Sequence, residues 1–252
     1  MLHVPALPGT PAAQGAVQEI IDKVSEEASL LKEAGVDALM LENMHDTPYL
    51  ARQVGPEIVA VMTAAALAVK RIAGALPCGI QILAGANKEA LAVALAADLQ
   101  FIRAEGFVFG HVADEGWINS DAGELLRYRR MIDAAHIGIF TDIKKKHSAH
   151  SVTADVDLAE TAHAAQFFRA DGVIVTGTAT GQPAKKDDLY TVKQACPSLP
   201  LLVGSGITPD NLHLYKSVAD GFIVGSSLKK EGHWANPLDP SRIESMVNAL
   251  LT

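Results

Sequence analysis

The chain has 252 residues, of which 49% are hydrophobic and 20% are charged, a composition that excludes general disorder, collagen-like repeats and coiled coils. Acidic residues outnumber basic ones, 29 to 21, which gives a net charge of −8 at pH 7 and argues against a nucleic-acid partner, since such partners need clustered Lys and Arg. With two cysteines, no apolar run of the about 18–20 residues that a transmembrane segment needs, and no signal-peptide pattern, we expect a cytoplasmic protein with reduced thiols.

Eight short apolar strands are predicted along the chain, each followed by a helical pattern. In chain order they are residues 2–4, 35–41, 79–83, 97–102, 137–141, 170–175, 201–203 and 219–224. Four of them open on a recurring motif, such as Ala-Asp-Gly at 170–172 and 219–221, that is typical of a helix end, a tight turn and a buried strand. Apolar residues at helical spacing predict a helix over 17–34. Further helix starts are predicted at Thr208-Pro209 and Asp239-Pro240, where a capping side chain precedes proline.

The alternation of strands and helices indicates parallel strands covered by helices. Eight such units in about 250 residues match an α/β fold of the (β/α)8 TIM barrel type, here as a single domain spanning residues 1–252. An open doubly wound sheet is the alternative, but no Gly-x-Gly-x-x-Gly follows the first strand. We also expect a homo-oligomer.

Ligand groups in this barrel class come from strand ends and the loops after them. In the first half of the chain this rule selects His3, Glu42, Asn43, Asp46, Gln81, Arg103 and Glu105. Glu42 ends an apolar strand, where a carboxylate is costly to desolvate, so it is a candidate catalytic acid or base. The alternative for Glu42 is a helix cap or an ion pair. His3 and Asn43 are candidate substrate ligands, and Arg103 is a candidate catalytic residue.

In the second half, the same rule selects residues after the fifth and sixth predicted strands. Asp142 and Lys144 lie two apart, so an extended backbone would point both to one face. Asp142, Lys146 and His147 are candidate catalytic residues for acid–base or charge roles, with a solvated charged run as the alternative. Thr176 and Thr178 are candidate substrate ligands.

Two further features of this half remain open. Asp114 lies in a long loop that also holds Trp117, and such loops often serve as lids, so Asp114 is a candidate substrate ligand. The pair His147-x-x-His150 leaves a divalent metal possible, although the ligand set is thin. No cofactor is predicted otherwise.

The clearest signal follows the seventh and eighth predicted strands. The phosphate-binding candidates are Gly204, Ser205 and Gly206 in one loop and Gly225, Ser226 and Ser227 in the other. Small residues let backbone N–H groups approach an anion, and barrels commonly bind phosphate between these two loops. The alternative is that the glycines only serve tight turns.

Several segments together resemble the BtpA family, which is named for photosystem I biogenesis. They are residues 3–11, 42–49, 112–116, 124–129, 146–147, 176–181, 203–208, 223–229 and 236–239. The resemblance covers essentially the whole chain, and it implies a phosphate-binding (β/α)8 barrel.

The residues then favour an enzyme that acts on a small phosphorylated metabolite, such as a phosphosugar or a nucleotide-like compound. A lyase, an isomerase and a hydrolase all fit. The alternative, implied by the family name, is a non-enzymatic biogenesis factor that binds protein partners. A pocket with several ionisable groups would favour the enzyme, whereas an exposed apolar patch without one would favour the factor.

Overall fold

The computed structural model describes residues 1–177 and 179–251. The helices are α1 (Val17–Glu33), α2 (Pro56–Ala73), α3 (Asn87–Ala96), α4 (Ala122–Met131), α5 (Leu158–Phe167), α6 (Lys186–Ala195) and α7 (Pro240–Leu251). The strands are β1 (Leu2–His3), β2 (Leu39–Glu42), β3 (Cys78–Gln81), β4 (Phe101–Ala104), β5 (His111–Ala113), β6 (Gly116–Ile118), β7 (Gly138–Asp142), β8 (Ser148–Ala149), β9 (Gly172–Val175), β10 (Leu201–Gly204) and β11 (Gly221–Ile223).

Eight of the described strands form one sheet in the order β1-β2-β3-β4-β7-β9-β10-β11. The pairings β1–β2, β2–β3, β7–β9 and β10–β11 are all parallel, and the spatial order follows the chain order. Helices fall between most of the strands, as parallel connections require. The predicted (β/α)8 TIM-barrel class is therefore confirmed, as are all eight predicted strands.

The chain divides into two compact units. The first consists of Met1–Arg103 and Leu125–Ile137, and the second of Ala104–Glu124 and the residues from Gly138 onward. In the first unit α1 packs against α2, whose alanine-rich buried face allows close approach. In the second unit α5 packs against α6, and the residues of β9 are buried. Both Cys78 and Cys196 are buried free thiols, and burial raises the pKa of each.

The recurring Ala-Asp-Gly motif has a structural reason. The Asp171 carboxylate accepts a hydrogen bond from the Ile139 N–H at 2.8 Å, and the Asp171 N–H donates to the Ile139 carbonyl at 2.9 Å. Asp220 does the same with Leu201, at 2.8 Å in both directions. Each aspartate thus ties the start of its own strand to the start of the neighbouring strand, and the motif recurs because this junction recurs.

One predicted helix start is confirmed and the other is wrong. Asp239 caps α7, where its Oδ1 accepts from the Ser241 N–H at 3.0 Å. No α-helix begins at Thr208-Pro209, because Asn211 folds back over this segment. The Asn211 side chain accepts from the Thr208 N–H and donates to the Gly206 carbonyl, and only a 3₁₀ turn, Leu212–Leu214, follows.

The long loop predicted around Asp114 and Trp117 is partly a hairpin. β5 pairs antiparallel with both β6 and β8 in a small separate sheet. Its strands have two or three residues, too few for an alternating pattern to show in the sequence. Among the described helices, none is long and apolar enough to cross a membrane.

Candidate functional site

In the first unit, His3 and Glu42 face each other at the ends of neighbouring strands. They are the last residues of β1 and β2 and lie in register. Both are buried, and His3 Nε2 lies 3.8 Å from Glu42 Oε2. The strand ends therefore bring a buried carboxylate and an imidazole together, a pair of groups that is suited to proton transfer. The sequence predicted both residues but not their pairing.

Next to this pair, Asn43 and Asp46 form a buried clasp. Asn43 Nδ2 donates to Asp46 Oδ2 at 2.8 Å, Asn43 Oδ1 accepts from the Leu83 N–H at 2.7 Å, and Asp46 Oδ1 accepts from the Leu7 N–H at 2.8 Å. Burial raises the pKa of Asp46 against the opposing effect of these hydrogen bonds. The clasp ties the segments after β1, β2 and β3 together. Asn43, predicted as a substrate ligand, thus uses its amide within the protein.

Arg103 completes the first unit's predicted residues. Arg103 lies one residue before the end of β4 and is only 5% exposed. Gln81, the last residue of β3, is buried in the same way. Burial of an arginine at a strand end requires compensating polar groups.

In the second unit, Asp142 ends β7 and is buried. Near it Lys145 Nζ donates to Glu105 Oε2 at 3.1 Å, and both of these side chains are 9% exposed. Burial acts to lower the pKa of Lys145, but the carboxylates of Glu105, Glu115 and Asp142 outweigh it and raise the pKa above the ordinary value. Lys145 is therefore held as a cation among carboxylates. The sequence prediction did not include it.

The expectation that Asp142 and Lys144 share one face of an extended strand is wrong. β7 ends at Asp142, and Lys144 has φ 49°, a left-handed turn. Lys144 Nζ instead donates to the Thr153 carbonyl at 2.9 Å. Because of this turn, the Lys145 side chain points toward the carboxylates. No residue in the run of three lysines indicates such a turn.

The segment after β7 is also joined to the segment after β9. The Lys146 N–H donates to the hydroxyl of Thr176, a buried residue, at 3.1 Å. His147 Nε2 lies 3.0 Å from Thr180 Oγ1 and accepts from the Thr180 N–H at 3.2 Å. Since Nε2 accepts, a neutral His147 carries its proton on Nδ1, which lies 3.9 Å from a carboxylate oxygen of the exposed Asp114. Thr178 lies outside the described residues.

The loop after β10 has an unusual backbone. Gly204 ends the strand, Ser205 has φ 133° and Gly206 has φ 64°. Ser205 Oγ donates to the Gln182 carbonyl at 3.1 Å. A Cβ at Gly206 would lie 2.3 Å from backbone atoms of Gln182 and Pro183, so this glycine is required for close approach of the two loops.

The loop after β11 turns at Gly225 into a short 3₁₀ helix, Ser226–Leu228. Ser227 Oγ is buried and has no hydrogen-bond partner within the described part of the chain. The Ser227 carbonyl is held by the Arg242 Nε–H at 2.8 Å. An unpartnered buried hydroxyl is costly unless a ligand or water satisfies it.

Metal binding was left possible by the sequence. Over residues 1–177 and 179–251 no group of three or more His, Cys, Asp or Glu side chains is placed to hold a metal ion. His147 and His150 use their rings separately, since His150 Nε2 contacts the Lys145 carbonyl at 3.0 Å while His147 contacts Thr180.

Solved structures share this fold at low sequence identity. The phosphoribosyl anthranilate isomerase of Thermus thermophilus superposes with a TM-score of 0.59 at 16% identity, over 90% of this chain and 94% of that one. The (S)-3-O-geranylgeranylglyceryl phosphate synthase of Thermoplasma acidophilum gives 0.58 at 17% identity, over 90% and 86%. At these identities the likeness establishes the fold alone.

Relatives by sequence cover the whole chain. A Caenorhabditis elegans protein, named as mitochondrial and uncharacterized, is 51% identical over 256 residues, covering 100% of this chain and 92% of its own length. The photosystem I biogenesis protein BtpA of Synechocystis is 33% identical over 252 residues, covering 99% and 86%. The model of the BtpA family matches residues 1–251. The chain therefore belongs to the BtpA family.

Proposed function

We propose that this protein is an enzyme acting on a small phosphorylated metabolite, whose phosphate is held by the loops after β10 and β11. The observation that carries the proposal is the buried Ser227 hydroxyl, which has no hydrogen-bond partner among the described residues and lies in one of these loops. A phosphate oxygen would satisfy this hydroxyl if the loop moves to admit it, and small residues such as Gly225 and Ser226 let backbone N–H groups approach an anion.

The names of the structural neighbours agree with this class of ligand. One is a phosphoribosyl anthranilate isomerase, and another was solved in complex with its substrate sn-glycerol-1-phosphate. A third is an orotidine 5′-monophosphate decarboxylase. These names describe other proteins, and they support the proposal because barrels of this class commonly bind phosphate after the last two strands.

Acid–base chemistry is assigned to Glu42 and Asp142, each of which is a buried carboxylate at a strand end of its own unit. We assign proton exchange to His3 and His147, and positive charge to Arg103, Lys145 and Lys146. Because the pKa of Lys145 is raised, this amine stays protonated at neutral pH, which disfavours a Schiff-base role. A lyase, an isomerase and a hydrolase remain compatible with the set.

The test is binding of inorganic phosphate to wild type and Ser227→Ala, measured by calorimetry. A hydrogen bond to a charged group contributes about 1.5–3 kcal/mol, so we expect a roughly 10- to 100-fold weaker Kd in Ser227→Ala. The unliganded variant should melt no lower than wild type, since it loses an unsatisfied hydroxyl. Ser198→Ala, an exposed serine in the same unit, is the control. Equal phosphate affinity in all three proteins contradicts the proposal. Gly206 variants are unsuitable, because a Cβ there meets backbone atoms at 2.3 Å.

A second candidate function is an assembly factor that binds protein partners. It is favoured by Phe167 and Phe168, which are 81% and 45% exposed with ring centroids 5.7 Å apart, and by the name of the Synechocystis relative. Affinity capture with wild type and a Phe167→Ser, Phe168→Ser double variant tests it, and a partner lost only in the variant supports it. A cleft lined by ionisable groups in the second unit favours the enzyme.

The expected homo-oligomer and the expected cytoplasmic location both remain predictions. Light scattering of the purified chain tests the first and cell fractionation the second.

A further inference from the structure

The second unit contains a shallow cleft that is open to solvent. Asp142 and Lys145 both line it. A hydroxyl group is at once a donor and an acceptor, so an adjacent carboxylate and ammonium match its two functions. The Glu105 carboxylate holds Lys145 Nζ at 3.1 Å, which fixes the donor in place before any ligand arrives. The polar part of the cleft therefore suits a ligand rich in hydroxyl groups.

Phe109 gives the cleft an apolar surface. The residue lines the cleft and is 37% exposed. Its φ is 57°, a left-handed conformation that is a genuine outlier for a bulky residue. Such conformations persist where the surrounding structure enforces them, and they cluster at ligand sites. An exposed aromatic ring beside polar groups is suited to packing against the C–H face of a sugar.

The same cleft is poorly suited to a nucleobase. Bases bind by stacking between flat apolar or aromatic faces. The His111 and His150 rings, which also line the cleft, have centroids 5.5 Å apart and planes tilted by 44°. They contact each other and do not form a parallel slot.

The cleft and the phosphate loops belong to neighbouring strands of the same unit. The strands β7, β9, β10 and β11 are consecutive in the sheet, and strands lie about 4.8 Å apart. The segments that follow them are also connected, through Lys146 and Thr176 on one side and Ser205 and Gln182 on the other. The loop after β10 is thus two strands, or roughly 10 Å, from the end of β7.

We propose that this cleft binds the hydroxyl-bearing carbons of a phosphosugar whose phosphate lies at the loops after β10 and β11. The inference rests on the proposed function and narrows its substrate class from phosphorylated metabolites to sugar phosphates. Asp142 and Lys145 bond the hydroxyl groups, and Phe109 packs against the carbon skeleton.

The test is calorimetric titration of the full chain with inorganic phosphate, a panel of pentose and hexose phosphates, and a nucleoside 5′-monophosphate. At least one sugar phosphate should bind tenfold or more tightly than inorganic phosphate. Phe109→Gly and Asp142→Asn should each remove that gain and leave the affinity for inorganic phosphate unchanged. Arg169→Gly is the matched control, because it relieves a positive φ of 65° at a residue that does not line the cleft.

Misfolding is a separate outcome in this design. Glycine adopts the backbone conformation of residue 109 without strain, and Asp142→Asn keeps the size of the side chain, so the two variants perturb folding differently. If no sugar phosphate binds more tightly than inorganic phosphate, or if the nucleoside monophosphate binds most tightly, the sugar inference is overturned and the proposed function stands. If no phosphorylated compound binds at all, both are overturned.

Discussion

The polar strand ends of the two units are held in place by different means. In the first unit Asn43 and Asp46 hydrogen-bond to each other and to backbone N–H groups on two other segments. In the second unit the residues around Asp142 rely on a buried ion pair, Lys145 with Glu105, and on a left-handed turn at Lys144. In the first arrangement an amide and a carboxyl group fix the loops through hydrogen bonds. In the second, the Lys145 cation and the left-handed backbone at Lys144 lie beside an open cleft. The comparison indicates that hydrogen bonds to backbone groups hold the strand ends of the first unit, whereas a buried ion pair and a left-handed turn hold those of the second.

The largest loss of stability is expected when the ion pair of the second unit is broken. Lys145→Met leaves the Glu105 carboxylate buried without its cation, which typically costs about 3–5 kcal/mol, or a fall of roughly 10 °C in Tm for a chain of this size. Thermal and urea unfolding measure it. Lys145→Arg keeps the charge and should lose far less. A Lys145→Met variant as stable as wild type would show that the pair does not hold this region.

The hydrogen bonds of Asn43 and Asp46 in the first unit are tested next. Asn43→Ala removes the acceptor of the Leu83 N–H and the donor to Asp46, and leaving two buried groups unsatisfied costs about 2–4 kcal/mol. Urea unfolding should show this loss with an unchanged slope. Gln53→Ala, which changes an exposed amide in the same unit, is the control and should change stability much less. Equal losses of stability in the two variants would contradict a stabilising role for the clasp.

Conservative changes at the two carboxylates separate chemistry from folding. Glu42→Gln and Asp142→Asn keep side-chain size, so folding should stay nearly intact. Activity on the substrate should fall about 10²-fold or more at whichever residue is the general acid or base. Steady-state kinetics on a substrate found by metabolite profiling of the purified protein measure this. Full activity in both variants contradicts the assigned roles.

The smallest effect concerns pH. Because the folded-state pKa of Lys145 is raised, its contribution to stability is complete below the ordinary value of 10.5 and is lost as the pH rises through the folded value. Arginine stays charged at that pH. Above pH 10.5 the urea stability of wild type should therefore fall more than that of Lys145→Arg. Parallel curves for the two proteins would contradict the assignment of the shift.

The sequence predicted the barrel because its information is local. Apolar runs of three to five residues, separated by helical patterns, indicate parallel strands wherever they pack, and the strand-end rule then located Glu42 and Asp142. The sequence did not predict Lys145 as a site residue, because the direction of its side chain depends on the left-handed turn at Lys144. Nothing in a run of three lysines specifies that turn. The helix predicted at Thr208 was wrong for a related reason. The Asn211 side chain bonds the backbone groups that a helix would have used. The pairing of His3 with Glu42 required strand register, which the sequence pattern does not give.

The aspartates that join neighbouring strand starts have a consequence for engineering this fold. Asp171 and Asp220 fix the amino-terminal ends of β9 and β11 against β7 and β10, so register in this unit is secured away from the loops that follow the strands. Changes in the loops after β9, β10 and β11 should therefore leave the sheet beneath them in register. Loop exchange between family members should preserve folding if both aspartates are kept and the contacting loops after β9 and β10 are exchanged together.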